Sequence, residues 1–167
     1  MANHLFDGLM AKVEASRLFA SLAGGRSYTY QHVADVSARF ANVLMDLGVQ
    51  PGDRVAVQVP KSIEALMLYL GTVRAGAVFL PFNTSYTLKE LSYFLDDAEP
   101  VLFVCDPSRS EELEPLASQR DIQLETLGVW ENHETSAGSL ADAGLKASTE
   151  FENVPRTGDD LAAILYT

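Results

Sequence analysis

The side chains that could carry chemistry lie far apart in the sequence and form no set at catalytic spacing. Three histidines, His4, His32 and His133, have no cysteine or histidine neighbour at the spacing of metal ligands, so they predict no metal site. The acidic runs at 96–97 and 111–114 have no partner positioned for general acid–base catalysis and are typical of solvated helix faces. We therefore expect no catalytic residue and no metal ligand in this chain.

Other polar or reactive side chains each have a structural interpretation. Cys105 ends an apolar run of strand length, which predicts a buried, inert thiol. Arg54 and Arg74 could pair with acids or phosphate, but a surface position is the ordinary one for arginine. Asn83 and Thr84 follow a second apolar run and could line a cleft, although a turn is the favoured interpretation.

The elements that would position these side chains are organised around the stretch 62–83. Ser62 is placed to cap a helix whose apolar residues face nearly every direction, which indicates protein on more than one side. Gly76 suits the left-handed position that ends such a helix. Val78, Phe79 and Leu80 then form a buried strand that Pro81 ends. Helix followed by strand across a two-residue joint is half of a βαβ unit, so this stretch predicts the middle of an open sheet.

The same alternation continues on both sides and predicts an α/β fold, an open and mainly parallel sheet flanked by helices. Residues 17–29 predict a small N-terminal hairpin around Gly24 and Gly25. Thr87 and Glu90 form a capping box at the start of a further helix. Predicted strands outside the central stretch are 54–59, 101–105, 121–127 and 161–167. Residues 128–158 predict an extended surface connection between the last two of these strands, in which only 140–145 could form a short helix.

Composition narrows the class of protein. The chain has 47% hydrophobic residues and a formal net charge of −11, which favours one globular unit and argues against nucleic-acid binding. A single cysteine excludes an internal disulfide and fits a reducing compartment. Neither an 18-residue apolar run nor a secretory leader pattern occurs, so we expect a cytoplasmic location and no membrane partner.

The end of the sequence carries a prediction of its own. In open α/β sheets ligands bind outside the carboxyl ends of strands, and the predicted strand 161–167 lacks the loop that would follow it. We therefore expect residues 1–167 to be a truncated N-terminal subdomain, cut at a ligand site. Apolar surface along its last strand should then be exposed and favour self-association.

Three stretches together resemble the acyl-adenylating superfamily, which comprises acid–CoA ligases, luciferases and peptide-synthetase adenylation domains. These stretches are SYTYQHV at 27–33, TVRAGAVFLPFN at 72–83 and DDLAAILYT at 159–167. Their order and spacing match, and the resemblance covers essentially the whole chain. Within the superfamily, the stretch 69–100, the motif VCDPS at 104–108 and the ending DDLAAILYT are most similar to bacterial malonyl-CoA synthetases.

The resemblance implies a two-step ligation that uses ATP, Mg²⁺ and CoA. The acid, malonate or methylmalonate for the malonyl-CoA synthetases, would form an acyl-adenylate that the CoA thiol then attacks. Only Thr167 corresponds to the edge of the superfamily's phosphate-binding loop, so it is the single cofactor-binding residue that we expect here. The other catalytic parts would lie beyond it, which implies that this chain alone is an inactive scaffold.

Two alternatives remain open at this point. One is another acyl-adenylating enzyme, such as a fatty or aromatic acid–CoA ligase or an adenylation domain. The other is a complete, non-enzymatic α/β binding module.

Overall fold

The computed structural model describes residues 2–129 and 138–166. Its helices and strands alternate along the chain after an N-terminal helix and a hairpin. In order they are α1 (His4–Met10), β1 (Leu18–Ser21), β2 (Ser27–Thr29), α2 (Tyr30–Asp46), β3 (Arg54–Gln58), α3 (Ile63–Arg74), β4 (Val78–Pro81), α4 (Leu88–Ala98), β5 (Leu102–Cys105), α5 (Ser110–Ser118), β6 (Gln123–Thr126) and α6 (Ser139–Lys146).

The main sheet is parallel and has the strand order β4-β3-β5-β6. The hairpin β1-β2 forms a separate antiparallel pair. This arrangement confirms the predicted fold class. Residues 162–164 run parallel beside β4, because Phe79 N–H donates to Ala162 O and Ile164 N–H donates to Phe79 O, both at 3.0 Å. Of the predicted strand 161–167, the part that the structure describes, 161–166, is joined to the sheet by a single bridge pair, so its pairing is shorter than expected.

Local sequence signals place both ends of α3 and the start of α4 where they were predicted. Ser62 Oγ accepts a hydrogen bond from Ala65 N–H at 3.1 Å and begins α3. Thr87 and Glu90 form the reciprocal capping box of α4. Gly76 has φ of 73°, and a Cβ atom at this position would lie 2.7 Å from Val154 Cγ1. Gly76 is therefore required both by the backbone conformation after α3 and by the close approach of a later segment.

The sheet separates two apolar cores, and its strands contribute alternate residues to each. On β3, Val55 and Val57 face the core that contains residues of α2 and α3, whereas Ala56 faces the core formed with α4 and α5. On β5, Leu102 and Val104 share the first core, and Phe103 and Cys105 share the second. Burial on both faces explains why these strands are continuous apolar runs in the sequence.

Within the stretch predicted as an extended connection, the short helix considered at 140–145 forms as α6 and packs against α2. Leu140 and Ala141 of α6 are buried there. Arg39 Nη1 on α2 donates to the carbonyl oxygens of Gly144, Leu145 and Ala147, with donor–acceptor distances of 2.7–3.1 Å. The arginine therefore satisfies carbonyl groups at the C-terminal end of α6, where a positive charge is favourable.

The surface position expected for the two arginines is wrong for Arg74. Its side chain is 7% exposed and donates to Asn153 Oδ1 and Ser37 Oγ. Arg54 is half-buried, and its Nε donates to Ala98 O at 2.6 Å, which satisfies a carbonyl at the end of α4. Both guanidinium groups are thus used to join elements of the fold. Among the described residues, no helix is long and apolar enough to cross a membrane.

Candidate functional site

The carboxyl ends of β3 and β4 and the segment 165–166 surround a cavity of about 680 Å³. Its walls are mainly apolar and its rim is polar, as in binding sites for small molecules. Residues that line it include Val57, Phe79, Phe82, Lys61, Ser62, Asn83, Thr84 and Tyr166. This is the edge of a parallel sheet at which α/β proteins bind ligands. The geometry makes it the candidate site of this chain.

The exit of β4 combines the two roles considered for Asn83. Asn83 Oδ1 accepts hydrogen bonds from Ser85 N–H at 3.0 Å and Ser85 Oγ at 2.9 Å, which builds a turn. Asn83 and Thr84 also line the cavity. The carbonyl oxygen of Asn83 accepts from Gln58 Nε2 at 2.8 Å. The turn is thus fixed to the neighbouring strand and shapes one side of the site.

Gln58 ends β3 and is fully buried, a position that the sequence reading did not identify. Its Oε1 atom accepts from Arg109 Nη1 at 2.6 Å. Arg109 also donates to Glu112 Oε2 from Nε at 3.0 Å and Nη2 at 2.9 Å. One amide therefore joins the exits of β3, β4 and β5. The sequence signal that could have identified Gln58 is a polar residue at the end of an apolar strand. No local pattern predicts its pairing with Arg109, which lies 51 residues away.

Tyr166 reaches from the last described segment to α4. Its hydroxyl donates to Asp97 Oδ2 at 2.5 Å, and its ring centroid lies 4.3 Å from that of Phe94. Burial, together with this hydrogen bond to a carboxylate, raises the pKa of Tyr166 to about 12, so the phenol is neutral at physiological pH. Asp97, interpreted from the sequence as part of a solvated acidic run, is exposed as expected and also accepts this hydrogen bond.

Cys105 lies at the end of β5 and faces the core under α4 and α5. The side chain is fully buried, as predicted. Burial raises the pKa of the Cys105 thiol to about 11, and the nearby charge of Asp106 acts in the same direction. The thiol is therefore protonated at neutral pH and is not poised as a nucleophile.

Thr167, the one predicted cofactor-binding residue, lies outside the described residues, as does His133. Within residues 2–129 and 138–166, no group of three or more His, Cys, Asp or Glu side chains could hold a metal ion. The described residues thus offer no ligand set that fits the Mg²⁺ implied by the resemblance. No glycine-rich phosphate loop lies at the cavity within the described residues.

Solved structures reproduce the fold over the full chain. Apo MatB from Rhodopseudomonas palustris is 47% identical and superposes with a TM-score of 0.91, over all of this chain and 32% of that chain. ATP-bound MatB from the same organism gives the same values. An acyl-CoA synthetase from Brucella canis is 25% identical, with a TM-score of 0.81 over all of this chain and 31% of its own.

Several curated relatives are named as CoA ligases, and their names specify different acids. An oxalate–CoA ligase from Arabidopsis thaliana is 29% identical over all of this chain and 33% of its own length. The long-chain-fatty-acid–CoA ligase FadD13 from Mycobacterium tuberculosis is 32% identical over 83% of this chain and 27% of its own length. The chain thus spans about a third of the length of these relatives. Residues 11–167 match the family described as AMP-binding enzyme. The chain therefore belongs to the AMP-binding enzyme family.

Proposed function

We propose that this chain is the N-terminal part of an ATP-dependent acid–CoA ligase and that the complete protein is a malonyl-CoA synthetase. The observation that carries the proposal is the 47% identity to MatB, which extends over all of this chain with a TM-score of 0.91. The residues that resemble bacterial malonyl-CoA synthetases, at 69–100 and 104–108, include the turn at Asn83 that shapes the cavity. The likeness therefore includes the candidate site as well as the hydrophobic cores.

The proposed reaction has two steps. A carboxylate oxygen of malonate bonds to the α-phosphorus of ATP while the bond to the β-phosphate breaks and pyrophosphate leaves. The CoA sulfur then bonds to the activated carbonyl carbon, the bond to AMP breaks, and the thiol proton is lost to solvent. The second step conserves the energy of the first in the thioester.

This chain contributes no catalytic residue to the proposed reaction. Its sheet holds the exits of β3, β4 and β5 in fixed positions through Gln58, Arg109 and Asn83, and thereby shapes one wall of the cleft. We propose Thr167 as a contact to the nucleotide phosphates, because a hydroxyl at the carboxyl end of a strand can donate to them. No step is assigned to Mg²⁺, since the described residues offer it no ligands.

Relatives of this chain differ in the acid that their names specify. The name of one relative specifies oxalate and that of another specifies a long-chain fatty acid. Malonate or methylmalonate is proposed because MatB has the higher identity, 47% against 29% and 32%. CoA is proposed as the thiol that accepts the acyl group, on the basis of the same relatives. A cytoplasmic location stays a prediction from the single cysteine.

An acid panel tests the proposal. The protein that extends beyond Thr167 is incubated with ATP, Mg²⁺, CoA and, separately, malonate, methylmalonate, oxalate or a long-chain fatty acid, and the thioesters are quantified by mass spectrometry. Malonyl-CoA is expected with the highest kcat/KM, and omission of ATP should abolish it. Preference for the fatty acid would instead identify another acyl-adenylating enzyme. Absence of every thioester would favour the non-enzymatic binding module.

A further inference from the structure

The segment at the carboxyl edge of the sheet has few backbone contacts after its bridge to β4. Phe79 provides both hydrogen bonds of that bridge, to Ala162 and Ile164. Beyond Ile164, no backbone hydrogen bond joins residue 165 or 166 to another described residue. The side chain of Leu165 is 71% exposed and provides little packing. Backbone pairing alone therefore leaves the direction of the chain at residue 166 poorly determined.

The side chain of Tyr166 supplies the missing constraint. Its hydroxyl donates to Asp97 Oδ2 at 2.5 Å, a short bond of the charge-assisted kind. Its ring packs 4.3 Å from the ring of Phe94, which lies one helical turn before Asp97 on α4. A second ring, that of Phe82 at the exit of β4, lies 6.2 Å away. Tyr166 is thus held by one helix and one strand exit.

The helix that receives Tyr166 is itself firmly placed. Its capping box fixes the N-terminal end through Thr87 and Glu90. Leu91 and Leu95 are at most 1% exposed and anchor its inner face in the core. Because α4 is held at its start and along its inner face, the position of Asp97 near its end is well fixed, and the hydrogen bond to Asp97 restrains Tyr166.

We propose that Tyr166 and Asp97 are positioning residues for the nucleotide phosphates, because they set the direction in which the chain leaves the sheet toward residue 167. The inference rests on the proposed function, in which the phosphate contacts begin at Thr167. Neither side chain touches the nucleotide in this account. A group that positions a substrate loses much of its contribution to binding and rate when it is displaced by a small distance. Loss of this anchor therefore weakens the binding of ATP more than that of the acid or CoA.

The test uses the protein that extends beyond Thr167. Tyr166→Phe retains the ring packing and removes only the bond to Asp97; it is expected to raise the KM and the Kd for ATP about 5- to 10-fold, with the KM values for acid and CoA within about twofold. The Kd is measured by calorimetry without acid. Asp97→Ala should reproduce the effect, and Asp97→Asn, which retains an acceptor oxygen, should restore part of the affinity. The matched control is Tyr93→Phe: Tyr93 lies on the same helix, is 63% exposed and should leave all constants unchanged.

Two results would overturn the inference while leaving the proposed function intact. One is an active wild-type protein whose Tyr166→Phe and Asp97→Ala variants keep the wild-type ATP constants. The other is an equal change in the constants for ATP, acid and CoA that follows a fall in melting temperature, as expected of a purely structural contact. A wild-type protein that neither binds ATP nor forms a thioester would overturn both proposals.

Discussion

Arg74 Nε and Asn153 Oδ1 lie 2.7 Å apart, although 79 positions separate the two residues in the sequence. The guanidinium of Arg74 also donates to Ser37 Oγ at 2.9 Å and stacks 4.4 Å from the ring centroid of Phe6. Burial lowers the pKa of Arg74 to about 10, so the group remains a cation at neutral pH. One buried cation therefore ties α1, α2, α3 and the segment after α6 together.

Replacement of Arg74 should destabilise the chain even when the charge is kept. In Arg74→Lys an ammonium group replaces the planar guanidinium and cannot reach all the acceptors that the guanidinium contacts. The free energy of unfolding is therefore expected to fall by about 2 kcal/mol. Urea denaturation followed by circular dichroism measures the change. Arg17→Lys is the control, because Arg17 is exposed, and it should change stability by no more than about 0.5 kcal/mol. Equal stability of the two variants would contradict this role.

Close packing of α3 on α2 depends on Gly71. A Cβ atom at this position would lie 2.7 Å from Phe40 Cβ and 3.0 Å from Ser37 O. Gly71→Ala is therefore expected to lower the free energy of unfolding by about 1–2 kcal/mol, since overpacking outweighs the gain in helix propensity. Gly8→Ala in α1 has no atom within 4 Å of the new Cβ and should instead stabilise by up to about 1 kcal/mol. A stabilising effect at Gly71 would contradict the close contact.

Cys105 should be unreactive in the folded chain. With its pKa raised to about 11, only about one thiol in a thousand is ionised at pH 8, and the side chain is fully buried. Its reaction with DTNB at pH 8 is expected to be at least about 100-fold slower in buffer than in 8 M urea, where both constraints are lost. Since Cys105 is the single cysteine, the signal reports on this residue alone. Rapid reaction of the native chain would show that β5 is not buried as described.

The exposed apolar residues of the last segment predict self-association of this chain. The side chains of Leu161 and Leu165 are 65% and 71% exposed. They belong to the segment that pairs through Ala163 with β4 along one edge, and apolar side chains next to a sheet edge favour association between chains. Sedimentation velocity is expected to give a concentration-dependent mass above 18.2 kDa, which Leu165→Lys should reduce. Leu18→Lys is the control, because Leu18 is 56% exposed but lies on the separate hairpin. A wild-type chain that stays monomeric at high concentration would refute this expectation.

Most of the fold could be predicted from the sequence because its signals are local. Ser62, Thr87 and Gly76 each act within one helical turn, and the alternation of apolar runs with capped helices already predicts a parallel sheet. The pairing of the last strand was overestimated over its described residues, 161–166. Apolar composition predicted a strand through residue 167, but composition cannot say where pairing with β4 stops.

The candidate site could be predicted only in part. Its place at the carboxyl edge follows from the topology, and Asn83 was identified as a turn or cleft residue because it follows a strand. The pairs Gln58–Arg109 and Tyr166–Asp97 span 51 and 69 positions and depend on how strands and helices pack. Arg74 was placed at the surface for the same reason, since its burial results from four segments that meet around it. Contacts of this kind have no local pattern.

ATP–pyrophosphate exchange with malonate tests the central claim most directly, because it isolates the first step of the proposed reaction. It is measured on this chain and on the protein that extends beyond Thr167. The account predicts exchange by the longer protein, dependent on malonate, and none by residues 1–167 alone. Exchange by this chain alone would contradict the account, since the catalytic groups assigned to the remainder would then lie within it.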